Sequence, residues 1–347
     1  MIEDLFGKVD KMRANARKRI EAEAKPGETY EQTAARLRQE AEKQPGAAQE
    51  TQKAAASLRT PPKGDEQGDF FVPALYDVAT KDNRSIMDVA VFRLSKKDRR
   101  AGEIMRYDLP DGHVQVSAGA AGMASVWDYD LVLMAVSHLT EAWNRHREGR
   151  GEKPGRTFRP HVADVLKFCR RSDGGKQKED LVAALVRLNT THIAIERQRK
   201  GRNGRVYTVS EGEPLISGYQ VIANAGGLPE SVEIELPKWI YREVTEGKNP
   251  DVLTVHPDYF LIDPGIGRFL YRLARRVAGK EQAKWAFQTI YERSGSTGTF
   301  KKFTFTLREL IKANDLPEYI LAEEAGQGGP LLVMTHRNLI DNHGATS

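Results

Sequence analysis

Apolar residues are sparse and unpatterned at the start of the chain, then recur from Phe70 onward with periods of two and of three to four. Alternation predicts strands over residues 89–94, 103–109 and 113–117, the last two joined by Pro110-Asp111-Gly112, a hairpin-type turn. Leu131, Met134, Ala135, Leu139 and Ala142 repeat at helical spacing and predict a helix running to Trp143, with Asp128 as its N-cap. Val162, Val165, Leu166 and Cys169 share one side of a shorter helix over 159–169. After Arg170-Arg171-Ser172-Asp173-Gly174-Gly175, a third helix over 176–188 aligns Leu181, Ala184, Leu185 and Leu188. Two helices joined by a short glycine-containing turn form a helix-turn-helix pattern. Strand-like runs over 190–197 and 206–209 follow, around the loop Arg199-Lys200-Gly201-Arg202-Asn203-Gly204-Arg205, in the position of a wing.

The order repeats farther on. Strands are predicted over 232–236 and 253–255, and Phe269, Leu270, Leu273 and Val277 line a helix over 265–278. A helix over 284–293, the turn Ser294-Gly295-Ser296-Thr297-Gly298 and a helix over 299–314 capped by Thr299 come next. Two further strand-like runs, 319–322 and 331–334, flank Ala325-Gly326-Gln327-Gly328-Gly329. The expected fold class is α+β: two tandem winged-helix domains over 69–228 and 229–340. A partly helical or disordered, Ala/Glu/Lys-rich N-terminal tail over 1–68 precedes them, because it holds too few large apolar residues to close a core. A disordered tail over 341–347 follows.

Composition narrows the function classes. A chain of 347 residues suits about two domains, and its one cysteine excludes a disulfide framework and a Cys-based zinc cluster. No stretch reaches the roughly 18 to 20 apolar residues of a membrane span. The opening Met-Ile-Glu-Asp-Leu-Phe-Gly-Lys-Val-Asp carries acids where a secretory leader has its apolar core. A soluble, cytoplasmic protein with no membrane partner is expected.

The overall charge is only +5, but residues 145–205 hold 17 Lys and Arg against 7 acids, an excess twice that of the whole chain. Cations gathered on one unit gain affinity for a polyphosphate backbone by releasing its counterions. Arg170, Arg171, Lys176 and Arg187, with the loop residues Arg199, Lys200, Arg202 and Arg205, are therefore candidate phosphate contacts. In the helix over 299–314, a turn of 100° per residue places Phe300, Phe303, Leu307, Leu310 and Ile311 on one side. Lys301, Lys302, Phe305, Arg308 and Lys312 fall on the other. Lys301, Lys302, Arg308 and Lys312 are candidate base readers in a major groove, with Ser294, Ser296, Thr297 and Thr299 at the phosphate-facing start. Phe305 either touches thymine methyls or packs beneath the wing; Glu309, on the same face, would repel phosphate.

Catalytic signatures are scarce. No G-x-x-x-x-G-K-[ST] loop is present, and the eight histidines form neither an H-x-H nor an H-E-x-x-H pair, so no cofactor and no metal are expected. Tyr271 and Tyr291 leave a tyrosine-dependent nicking enzyme as an alternative. The apolar spacing around Tyr271 favours a packed ring with its hydroxyl in water.

Ordered strings give a resemblance over residues 88–333. They are Phe92-Arg93-Leu94-Ser95-Lys96-Lys97, Gly122-Met123-Ala124-Ser125-Val126-Trp127-Asp128-Tyr129-Asp130, Ser172-Asp173-Gly174-Gly175, the stretch 181–191, Leu236-Pro237-Lys238-Trp239-Ile240-Tyr241, Phe269-Leu270-Tyr271-Arg272-Leu273-Ala274-Arg275 and Arg293-Ser294-Gly295-Ser296. With these the chain resembles the plasmid replication initiator protein A family. The resemblance implies two winged-helix domains that recognise repeated (iteron) double-stranded plasmid origin DNA. It also implies opening of the duplex, recruitment of the host initiator and replicative helicase, control of plasmid copy number, repression of the protein's own gene and a homodimer. The run 131–139 serves either as a dimer face or as core. An operator-binding transcriptional regulator without initiation activity is the rival reading.

Overall fold

A computed structural model describes residues 80–339 except 84–85, 111, 201–203 and 247–250, together with a few positions between 25 and 36. The expectations for the tails over 1–68 and 341–347 lie almost wholly outside the described residues. Among the described residues the architecture is mixed α+β, with four small antiparallel sheets and helices packed against one continuous apolar core.

β1 (Lys81–Asn83) is followed by the hairpin of β2 (Ile104–Leu109) and β3 (Gly112–Ser117), paired from Ile104↔Ser117 to Leu109↔Gly112. Alternate residues Met105, Tyr107, Val114 and Val116 face the core, as their period of two predicts. Gly112 has no Cβ because one would strike the Glu196 carbonyl on the neighbouring strand. The segment 89–94 is not a strand. Ile86, Met87, Val89, Ala90, Val91 and Phe92 are all buried, so the apolar run reflects burial on all sides instead of alternation. Its backbone bonds go elsewhere: Ala90 N donates to Arg293 O (2.9 Å) and Arg93 N to Ala124 O (2.9 Å).

Helix α1 (Asp130–Arg147) is buried throughout its first eleven residues, so the run 131–139 is core and offers no dimer face. Arg145 and Arg147 lie in its last turn, where cations complement the helix dipole. Tyr129, not Asp128, occupies the N-cap position. Asp128 instead accepts from Ser125 N (2.8 Å), closing the preceding turn. β4 (Thr157–Phe158), α2 (Val162–Phe168) and α3 (Gly175–Thr190) complete the first helix-turn-helix.

Two hairpins then follow where the pattern predicts one. β5 (His192–Lys200) and β6 (Val206–Pro214) extend the β2–β3 hairpin into a four-stranded sheet of order β2-β3-β5-β6. β7 (Gly218–Ala223) and β8 (Pro229–Glu235) form a three-stranded sheet with β4, in the order β4-β8-β7. This second hairpin spans the boundary expected at 228/229.

Beyond it come α4 (Lys238–Thr245), β9 (Val252–Thr254) paired with β1, a 3₁₀ turn over Pro257–Leu261 and α5 (Gly265–Val277). β10 (Gln282–Ala286), α6 (Phe287–Ser294), α7 (Phe300–Ala313), β11 (Tyr319–Gly326) and β12 (Gly329–His336) follow. The helix expected over 284–293 is thus part strand. Lys284, Trp285 and Ala286 pair with Val333, Leu332 and Leu331, and the ladder outweighs local helix propensity. The order β10-β12-β11 repeats β4-β8-β7. By topology, the counterpart of the β11–β12 hairpin is therefore β7–β8, and β5 and β6 belong to a separate four-stranded sheet.

Candidate nucleic-acid interface

α6 ends at Gly295, whose φ of +58° suits the helix C-terminus. A Cβ there would collide with Tyr107 Oη and Met105 Sδ from β2, and Arg100 Nη2 donates to the Gly295 carbonyl (2.6 Å). The first half of the chain therefore holds the turn that aims α7. Within the turn, the Ser294 hydroxyl donates to Tyr291 O (2.7 Å) and accepts from Ser296 N (3.2 Å). Ser294 is buried and builds the turn, which takes it out of contact with a phosphate. Ser296 is half-buried; Thr297 and Thr299 are exposed, and the Thr299 hydroxyl caps α7 by accepting from Lys302 N (3.3 Å).

Phe303, Leu307 and Leu310 seat α7 on the core, with Tyr291 edge-on to Phe300 and Phe303. Lys301, Lys302, Phe305, Arg308, Glu309 and Lys312 all face solvent. The described residues give Lys301, Lys302 and Lys312 no ion pair. Arg308 is held from the hairpin: Nε and Nη2 donate to the two Glu323 carboxylate oxygens at 2.9 and 2.7 Å. That hydrogen bonding holds the Glu323 carboxyl below its usual pKa and leaves the other N–H groups of the guanidinium uncommitted to Glu323. Glu323 was invisible to sequence reasoning, because only the placement of β11 against α7 brings it beside Arg308.

In the first unit the expected cations separate. Arg170, at φ 55°, and Lys176 are exposed at the helix-turn-helix turn. Arg171 donates to Asp130 (2.9 Å) and to the Trp127 carbonyl. Arg187 makes a two-point contact with Asp128 (2.8 and 2.9 Å). Both arginines serve buried carboxylates, which commits Arg171 Nη2 and Arg187 Nε and Nη2 to the fold. The backbones of Arg199 and Lys200 pair in the β5–β6 ladder, Arg205 is exposed at the loop's end, and Arg202 lies outside the described residues.

α5 also departs from the pattern. Instead of one apolar side it is buried from Gly265 through Ala274. Arg268 Nη1 reaches Asp130 (2.7 Å), so Asp130 joins the first helix-turn-helix, through Arg171, to α5. Arg272 is fully buried, pairs with Asp82 and lies 4.8 Å from the ring centroids of both Phe92 and Tyr129. Tyr271 is not wet. Its hydroxyl donates to Glu318, accepts from His256 N (2.7 Å), and is held well above the usual phenol pKa by burial first and the Glu318 bond second. Tyr291 donates to Gly298 O (2.7 Å). Burial pushes the Cys169 thiol up to about 12. Among the described residues no group of three His, Cys, Asp or Glu converges on a metal-sized site, and no helix is long and apolar enough to cross a membrane.

These features define a mixed α+β chain in which α2–α3 and α6–α7 are consecutive helices joined by short turns, and α7 presents a cationic face. Residues 81–321 match the family model for replication initiator protein A, and the chain belongs to that family. A putative replication protein of Wigglesworthia glossinidia brevipalpis is 27% identical over 255 residues, covering 72% of this chain and 88% of that one. Crystal structures of domains 2 and 3 of RctB are similar at 12% identity. The selenomethionine form has a TM-score of 0.48 over 73% of this chain and 98% of its own; a second has 0.46 over 72% and 96%.

Proposed function

We propose that this protein is a plasmid origin-binding initiator in which two tandem winged-helix units read repeated double-stranded DNA. In this reading it opens the neighbouring duplex, brings in the host initiator and replicative helicase, and represses its own gene. The observation that carries the reading is the outer face of α7: four cations and one acid, all exposed, on a helix whose opposite side is anchored in the core. A helix so mounted fits the major groove, where Lys or Arg meets guanine edges.

Lys301, Lys302, Arg308 and Lys312 take the base-edge side, with Ser296, Thr297 and Thr299 near phosphates. Arg170, Lys176 and Arg205, with Arg199, Lys200 and Arg202 of the extra loop, add contacts that carry no sequence information. Arg171, Arg187 and Ser294 leave this set because their polar atoms serve the fold. The β7–β8 hairpin becomes the wing of the first unit, which then extends through Glu235. It brings Glu230, Glu233 and Glu235, and Arg159 and Arg156 pair with the last two, so it is a poorer phosphate contact than a basic wing would be.

The protein acts by binding and not by catalysis, a reading supported by the committed hydroxyls of Tyr271 and Tyr291. Footprinting the purified full chain across its own plasmid tests the proposal. Protected blocks should recur at a regular helical spacing, about 34 Å or a multiple of it. Uniform protection of all sequences would refute it. Supercoiled plasmid with magnesium should yield no relaxed circles; a covalent protein–DNA adduct would overturn the non-catalytic reading.

A further inference from the structure

We propose that Phe305 reads the 5-methyl group of thymine, which makes it a specificity-determining residue of α7. The inference rests on the DNA-binding reading above and goes beyond it by naming the base. Phe305 is 66% exposed, the highest exposure among the large apolar residues described. It does not lie beneath the β11–β12 hairpin, and among the described residues no ring stacks on it and no cation covers it. Arg308, one turn on, is drawn aside by Glu323 and toward Phe287, whose ring centroid lies 6.0 Å away.

An aromatic ring left in water forgoes the gain that burial would bring, and a partner that covers the ring recovers it. The charges around it say which. Lys301 and Lys302 precede it by four and three residues, and Arg308 follows by three, spacings that put all of them on one helix face. A second protein surface with an apolar pocket would have to bury those ammonium groups beside the ring. A major groove offers phosphates along both rims and, on its floor, an apolar group at every thymine. One apolar side chain with three cations and a single acid, Glu309, within a turn of it matches that arrangement.

The test does not require the origin sequence. Duplexes are selected from a random pool with the full-length protein, and the enriched duplex is remade with deoxyuridine replacing thymidine at one position at a time. This deletes a single methyl and leaves every hydrogen-bonding edge intact. The wild-type protein should lose about fourfold in affinity at one or two adjacent positions, the equivalent of one buried carbon. Phe305→Ala should bind the thymidine and deoxyuridine duplexes equally, and Phe305→Leu should keep part of the discrimination. Phe305 is exposed, so these variants should melt with the wild type.

If wild type binds all deoxyuridine duplexes like the parent while Lys301→Ala weakens binding, the methyl reading fails and the DNA-binding reading stands. If Phe305→Ala instead changes the sedimenting mass without changing methyl sensitivity, the ring contacts protein and the proposal is overturned. If no duplex is enriched, both readings fall together.

Discussion

Removing the Asp130 carboxylate strands two arginines, and their burial sets the cost. In Asp130→Ala, Arg171, with 23% of its side chain accessible, can turn part of its charge to water, while Arg268, at 4%, cannot. Arg268 keeps its bonds to the carbonyls of Ile262 (2.9 Å) and Phe260 (2.6 Å), so the loss is mainly charge compensation, not hydrogen bonding. Breaking a buried pair from one side costs about 3–5 kcal/mol. With Arg171 largely relieved, the lower end applies, about 3 kcal/mol. For a folded body of this size that is a fall of about 6–12 °C in Tm, measurable by circular dichroism at neutral pH. Replacing both sides, Asp130→Leu with Arg268→Met, should recover only part of the loss, because it removes the buried charge of Arg268 but also takes the donor from the Ile262 and Phe260 carbonyls. A shift under about 2 °C for Asp130→Ala, with the fold intact, would refute the view that this carboxylate ties α1 to α5.

Gly295→Ala should destabilise by about 2 kcal/mol or more, from its left-handed backbone and the collision with Tyr107, and should lower DNA affinity because the turn aims α7; a neutral variant would show that β2 does not hold that turn. Arg308→Ala should weaken binding to the selected duplex by about five- to a hundredfold and to random DNA much less. Equal losses in gel shift would remove Arg308 from the reading set. Glu323 should titrate, by carboxyl-carbon NMR, below the ordinary 4.5. Its pKa is lowered in the fold, so its link to Arg308 is present above the unfolded value and lost as pH falls through the folded one; a midpoint at or above 4.5 would show that the pair does not form in solution.

The strings behind the family resemblance have a structural meaning that a linear reading cannot supply. Tyr129 and Asp130 end one string, Arg268 stands just ahead of another and Arg272 lies inside it, and these residues meet in the joint between the two halves. Arginines in so apolar a helix as α5 are themselves a sign of buried acid partners. Which acids answer them depends on Asp82 and Asp130, separated from them by 190 and 138 residues. The exposed face of α7 was legible because helical geometry alone sorts Phe303 and Leu307 from Lys301 and Arg308. The fate of Arg171 and Arg187 was not, since a cation in a turn looks the same whether it meets water or a buried carboxylate.

The sequence by itself determined the helices with strong three- and four-residue periodicity, the β2–β3 and β11–β12 hairpins and the outward cations of α7. Each depends on neighbours within a few residues. Tertiary structure decided that 89–94 is buried irregular chain, that 282–286 is strand and that β7–β8, not β5–β6, pairs with β4. It also decided which arginines remain available at the surface. Strand partners and the acids that compensate buried charges come from distant parts of the chain, and local propensity carries no information about them.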